Sequence, residues 1–178
     1  MTAQFNVSQL LKAGIGQVRT YDFDLEDPLD LEGAVATGVR GSVKFTLTNF
    51  GILAAVRAHA EIDLTCARCL EPFRTPMDVQ FEEEYRPVID IATGLPSRLP
   101  ESDTAFLISE NHTIDLREAI RQQLLLGIEI IPVCRPTCKG LCPICGTNLN
   151  TDPCDCPTAE QENPFAVLQG LLAEADDR

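Results

Sequence analysis

Apolar and polar residues alternate with a period of two through the middle of the chain, and that alternation predicts its main elements. From Val56 the apolar positions are Val56, Ala58, Ala60, Ile62 and Leu64, with Arg57, His59, Glu61, Asp63 and Thr65 between them. A second run places Phe73, Thr75, Met77, Val79, Phe81 and Tyr85 on one face and Arg74, Asp78, Gln80, Glu82 and Glu84 on the other. Only Cys66 to Pro72 separates the runs, so they pair as an antiparallel hairpin with Cys66-Ala-Arg-Cys69 at its tip. Upstream, Val43, Phe45 and Leu47 alternate with Lys44, Thr46 and Thr48, and Asn49-Phe50-Gly51 supplies a turn. Gln17 to Leu25 adds one more strand.

Beyond Pro87 the period is lost. Pro87 to Ser102 is rich in Pro, Gly and Ser and reads as a loop or boundary. Asp115 and Glu118 then form a capping-box-like start, followed by Leu116, Ile120, Leu124 and Ile128 at helical spacing, which predicts a helix ending at Pro132 and packing on the sheet. A last short helix is expected from Asn163-Pro164, with Phe165, Leu168, Leu171 and Leu172 facing a partner surface. The expected class is α+β: an antiparallel β-meander or partly closed sheet, a packed helix, and a Cys-rich zinc-knuckle segment near the C-terminus. The expected division is a β-rich core with its helix over 1–133, a metal-binding segment over 134–157 and the short helix within 158–178.

Composition narrows the chemistry. A chain of 178 residues with 44% hydrophobic content can bury a sizeable core without staples. Met1 to Leu11 has no basic start typical of an export signal. The longest apolar stretch, Leu124 to Val133, is interrupted by Glu129 and Pro132 and too short to span a bilayer. These readings predict a cytoplasmic, reduced setting, where clustered thiols hold metal more often than they pair. The formal charge of −13 argues against broad, non-specific nucleic-acid binding, which depends on phosphate contact, and favours a basic protein partner.

The eight cysteines carry the strongest signal. Cys66-x2-Cys69 supplies two ligands, and the rest come as Cys134-x3-Cys138, Cys142-x2-Cys145 and Cys154-x-Cys156. Eight thiols divide into two tetrahedral sets. Loop geometry favours Cys142, Cys145, Cys154 and Cys156 as a compact local site, which leaves Cys66, Cys69, Cys134 and Cys138 to join the hairpin tip to the end of the helix. The competing division joins Cys66 and Cys69 to Cys142 and Cys145. Either arrangement predicts one or two structural zinc ions, since four cysteines leave no open position for a catalytic water. The rival readings are metal-free buried thiols, disulfides, and a redox Cys66-x2-Cys69 pair. The last would need positive charge or a helix N-terminus to lower its thiol pKa, and only Arg68 and Arg74 are close in sequence.

Other residues offer less. His59 and His112 read as solvated surface histidines, and Glu82, Glu83 and Glu84 as a solvated edge. Neither a P-loop nor H-E-x-x-H nor G-x-S-x-G occurs, so no enzymatic activity is expected. Arg68, Arg74, Arg135 and Lys139 flank the cysteine turns and mark the expected place for a local RNA phosphate contact.

Cys66-Ala-Arg-Cys69-Leu-Glu-Pro between two long strands, Asp115-Leu-Arg-Glu118 opening an apolar helix, Cys138-Lys-Gly-Leu-Cys142-Pro-Ile-Cys145-Gly-Thr-Asn, and Asn163-Pro164-Phe165-Ala166-Val167-Leu168 together resemble the YceD family, the large ribosomal RNA subunit accumulation proteins. The resemblance implies a bacterial cytoplasmic factor for 23S rRNA accumulation and large-subunit biogenesis, without catalytic activity. The partner it implies is a pre-ribosomal large subunit or a basic ribosomal protein. The expected role is therefore that of an acidic adaptor in assembly. A nucleic-acid-binding zinc module of a transcription or RNA-processing factor is the main alternative, and a thiol-disulfide protein the second.

Overall fold

The computed structural model describes residues 3–90, 94–97 and 106–156. Two compact units divide the chain, Met1–Cys138 and Lys139–Arg178. Among the described residues, the first contains the helices and strands. In chain order these are β1 (Gln4–Asn6), α1 (Ser8–Leu11), β2 (Val18–Asp24), β3 (Leu29–Asp30), β4 (Val35–Leu47), β5 (Ile52–Thr65), β6 (Pro72–Pro87), β7 (Phe106–Ile108), β8 (Thr113–Asp115) and α2 (Arg117–Gly127).

The two alternating runs become β5 and β6, paired antiparallel without interruption from Ile52 opposite Tyr85 to Thr65 opposite Pro72. Their pattern extends outward on both sides: the main sheet runs β2-β4-β5-β6-β7, with β3 beside β4. The β2 to β6 pairings are antiparallel, whereas β7 lies parallel to β6. The sheet is therefore mixed and open, a correction to the expected antiparallel, partly closed meander. Parallel pairing follows from the connection, because β7 returns after the long segment beyond Pro87 and not through a tight turn. A separate two-stranded sheet joins β1 to β8.

One face of the main sheet is dry. Val43, Phe45, Ile52, Ala54, Val56, Ala60, Ile62 and Tyr85 are almost fully buried, and they form one core with Ile114, Leu116, Ala119, Ile120 and Leu124. Phe5, Tyr21 and Phe45 add a triangle of rings with centroids 5.2 to 5.9 Å apart. Burying each large side chain of this kind contributes roughly 1.5–3 kcal/mol, so the core holds the sheet without help from metal.

Helix α2 starts and stops differently from expectation. Leu116 is its N-cap and makes no side-chain cap. Asp115 Oδ1 accepts from the Arg117 backbone N–H at 2.8 Å. Glu118 turns along the helix to Arg121 and Gln122, so the reciprocal capping box does not form. The helix ends at Gly127 and not at Pro132. Glycine weakens helix propagation there, and Ile128 is already extended. The expected helix at Asn163-Pro164 lies outside the described residues.

Candidate metal centres

The Cys66-x2-Cys69 turn sits at the tip of the β5–β6 hairpin. The Cys66 N–H donates to Glu71 O at 2.9 Å, and the Leu70 N–H returns to Cys66 O at 3.0 Å. Leu70 takes φ of 60° to close the turn. Beyond α2 the extended chain reaches this tip, where Pro132 O accepts the Ala67 N–H at 2.8 Å. That contact brings Cys134 and Cys138 to the sulfurs of the hairpin. Cys66, Cys69 and Cys138 are nearly inaccessible, at 0%, 4% and 5% exposure, and Phe73 and Val133 pack against them.

The four sulfurs of Cys66, Cys69, Cys134 and Cys138 lie within 4.8 Å of one another. Cys66 Sγ is 3.9 Å from Cys138 Sγ, and Cys69 Sγ is 3.8 Å from Cys134 Sγ. A tetrahedral ion with metal–sulfur bonds of about 2.3 Å separates its sulfurs by about 3.8 Å, so these distances match the edges of a metal tetrahedron. Disulfide bonds require about 2.05 Å, and all eight cysteines are free thiols.

Cys142, Cys145, Cys154 and Cys156, in the second unit, form the other quartet within the same limit. Its C-x2-C turn repeats the hydrogen bonding of the first. The Cys142 N–H donates to Thr147 O at 2.8 Å and the Gly146 N–H to Cys142 O at 2.9 Å. Gly146, equivalent to Leu70, has φ of 74°. Asn148 extends the scaffold, its Oδ1 accepting from the Asn150 N–H at 3.0 Å. Asn150 Oδ1 in turn accepts from the Lys139 N–H at 3.0 Å. Cys145 is exposed and Cys154 and Cys156 are half-buried, so this quartet is wetter than the first.

Each quartet polarises its own thiols. Backbone N–H groups of Cys134 and Cys69 pull the Cys66 thiol down to about 6. Burial, and then the neighbouring Cys66 sulfur, push Cys134 up to about 12. In the second quartet the Thr147 hydroxyl, 3.2 Å from Cys145 Sγ, and the Thr147 N–H lower Cys145 to about 6. The Cys145 sulfur and burial raise Cys156 to about 12. In the first quartet the backbone favours a thiolate at Cys66; in the second Thr147 favours one at Cys145 and backbone N–H groups one at Cys142, and a cation among the sulfurs would favour ionising the rest. Both quartets could hold a metal ion.

The two sulfur sets that the structure brings together are those that loop geometry favours, with Cys66 and Cys69 grouped with Cys134 and Cys138. The basic residues beside the turns have other engagements. Arg68 Nη1 donates to the carbonyls of Cys138 and Pro136 at 3.1 and 3.5 Å, bridging the first quartet. Arg74 is held bidentately by Asp63 across β5 and β6 at 2.6 and 2.8 Å. Arg135 is exposed in the first unit, and Lys139 is exposed at the start of the second. His59 is not simply solvated: its Nδ1 lies 2.8 Å from Asp78 Oδ1. The matched hydrogen-bond scheme of the two turns was invisible in the sequence except as the residue four places after the first cysteine, which is leucine in one turn and glycine in the other.

Among the described residues no helix is long and apolar enough to cross a membrane. A family model described as large ribosomal RNA subunit accumulation protein YceD matches residues 54–172, a span that contains all eight cysteines. An uncharacterised protein of Mycobacterium tuberculosis is 36% identical over 103 residues, covering 58% of this chain and 47% of that protein. The chain thus spans about half the length of the mycobacterial relatives it matches. An Arabidopsis thaliana protein named large ribosomal RNA subunit accumulation protein YCED homolog 1, chloroplastic, is 40% identical over 65 residues, 36% of this chain and 20% of its own. The Haemophilus influenzae protein named large ribosomal RNA subunit accumulation protein YceD is 26% identical over 115 residues, 65% of this chain and 62% of its own. No solved structure matches the chain.

Proposed function

The chain belongs to the YceD family, and on that premise we propose that it is a non-catalytic bacterial factor supporting 23S rRNA accumulation and biogenesis of the large ribosomal subunit in the cytoplasm. It acts as an acidic adaptor, stapled by structural zinc, for a basic ribosomal protein or an assembly intermediate. The observation that carries the chemical half of this reading is the pair of four-sulfur clusters. Four thiolates in a tetrahedron suit zinc, and they leave no coordination position for a reacting water. In the first cluster the metal ties residues 66 and 69 to 134 and 138, so its binding energy is also folding energy. The segment 134–157 is then the main metal-binding part, and 1–133 the core that contributes Cys66 and Cys69.

Charge supports the choice of partner. At −13 the chain attracts basic surfaces, and that field speeds their encounter. The rival thiol-disulfide reading rests on the lowered Cys66 thiol. It requires Cys66 to react with an alkylating agent while zinc is bound, whereas the adaptor reading has it shielded until a chelator is added.

A tagged pull-down from growing bacteria, with protein and RNA identified in the eluate, tests the proposal. Precursors of the large subunit, or its ribosomal proteins, are expected. Recovery of neither contradicts the adaptor role.

A further inference from the structure

The basic residues sort into those the fold uses and those it leaves over. Arg74, Arg86, Arg117 and Arg121 are ion-paired, and Arg68 is bound to carbonyls. Among the described residues Lys12, Arg19, Arg40, Lys44 and Arg57 are exposed with no side-chain ion-pair or hydrogen-bond partner, and three of these, Arg40, Lys44 and Arg57, are neighbours. They stand together on the wet face of the two central strands. Arg40, Ser42 and Lys44 occupy alternate positions of β4, and on β5 Arg57 is opposite Ser42 and His59 opposite Arg40. Alternate residues are about 6.8 Å apart along a strand and neighbouring strands about 4.8 Å apart, so the three cations form one short strip. A trough of about 740 Å³ crosses it between the row holding Ser42 and Arg57 and the row holding Arg40 and His59.

With 27 acidic residues against 14 basic ones, the chain has carboxylates to spare for every cation. Charge balance therefore does not account for three unpaired cations side by side. The acids instead border the strip: Asp22 and Asp24 on β2, Asp78 and Glu82 on β6. An acidic peptide or a nucleic-acid duplex would press negative groups onto both borders. A single polynucleotide strand carries its phosphates in one line and presents hydroxyl and amino donors to the sides, where carboxylates accept them.

We infer that this strip, centred on Arg40, Lys44 and Arg57, binds the sugar-phosphate backbone of single-stranded RNA. The choice of RNA rests on the family reading above; the location rests on the sheet alone. It moves the RNA contact from the cysteine turns to the open face of β4 and β5, with phosphates on the three cations and flanking donors on Asp22 and Asp24.

Anisotropy of a fluorescein-labelled single-stranded RNA oligonucleotide, titrated with the metal-loaded full chain over a salt series, tests this. Three phosphate contacts predict a slope of log affinity against log salt of about −2, at roughly 0.7 per contact. The double variant Arg40→Ala, Arg57→Ala is expected to bring the slope to about −0.7 and to weaken low-salt binding at least about tenfold. Lys12→Ala and Arg19→Ala together remove as much charge elsewhere, and each is expected to leave the slope near the wild-type value. Circular dichroism and metal content establish that each variant is folded. Salt-independent binding, equal loss in the two controls, or tighter binding of polyglutamate or duplex RNA than of the single strand overturns the inference. If it is overturned while the tagged chain still recovers large-subunit precursors, the adaptor reading stands and only the strip is wrong.

Discussion

Leu70 and Gly146 hold the same place in the two cysteine turns, and both take positive φ. For leucine that conformation costs roughly 1–2 kcal/mol. With 62% of its surface exposed, Leu70 recovers little of this by burial. Leu70→Gly is therefore expected to stabilise the first unit by about 0.5–1 kcal/mol, after glycine's own entropy is counted, read as a higher urea midpoint. Gly146→Ala is expected to do the reverse, costing about 1 kcal/mol and weakening metal retention by the second quartet. Nothing lies within 4 Å of the added Cβ at Gly146, so backbone conformation alone sets the effect. A neutral or stabilising Gly146→Ala would mean that the turn is not strained as described.

At the scale of elements, the sheet depends on one close approach between β4 and β5. A Cβ on Gly41 would collide with the Arg57 carbonyl oxygen and come within 2.9 Å of Ala58 Cα and the Phe23 ring. Backbone cannot yield as a flexible side chain can. Gly41→Ala is expected to cost about 3 kcal/mol or more, seen as a loss of thermal stability with slowed recovery of sheet signal in circular dichroism. The long strands themselves were legible in the sequence, because Val56 to Leu64 and Phe73 to Tyr85 offer enough alternate positions to fix a face. Strands β1, β7 and β8 were not, since three residues carry no measurable period, and the parallel partner of β6 is chosen by tertiary contacts such as Tyr85 with Phe106, 5.4 Å between ring centroids. The helix was visible from Leu116, Ile120 and Leu124. Its end was misplaced because Pro132 is the more conspicuous breaker while Gly127, packed by Met77, acts first. For the candidate metal centres, loop length favoured the division that the structure holds. The basic strip has no signature in the sequence, because alternation places Arg57 on a wet face and only register with the strand that holds Arg40 gives it company.

For the whole molecule, a hydrophobic core holds the sheet, and two sulfur clusters could each hold a metal ion. The core accounts for the sheet and α2 and takes in Ile128, whereas the chain beyond it packs Val133 against the first quartet. We propose that metal joins segments distant in sequence, residues 66 and 69 with 134 and 138. The most direct test of this link is zinc content by mass spectrometry of the folded chain, with near-ultraviolet circular dichroism recorded before and after a strong chelator. Two zinc ions per chain are expected, the more exposed Cys142–Cys156 quartet losing its ion first and the tertiary signal falling when Cys66, Cys69, Cys134 and Cys138 lose theirs. Protein prepared with ample zinc that proves metal-free, with an unchanged tertiary signal, would contradict it.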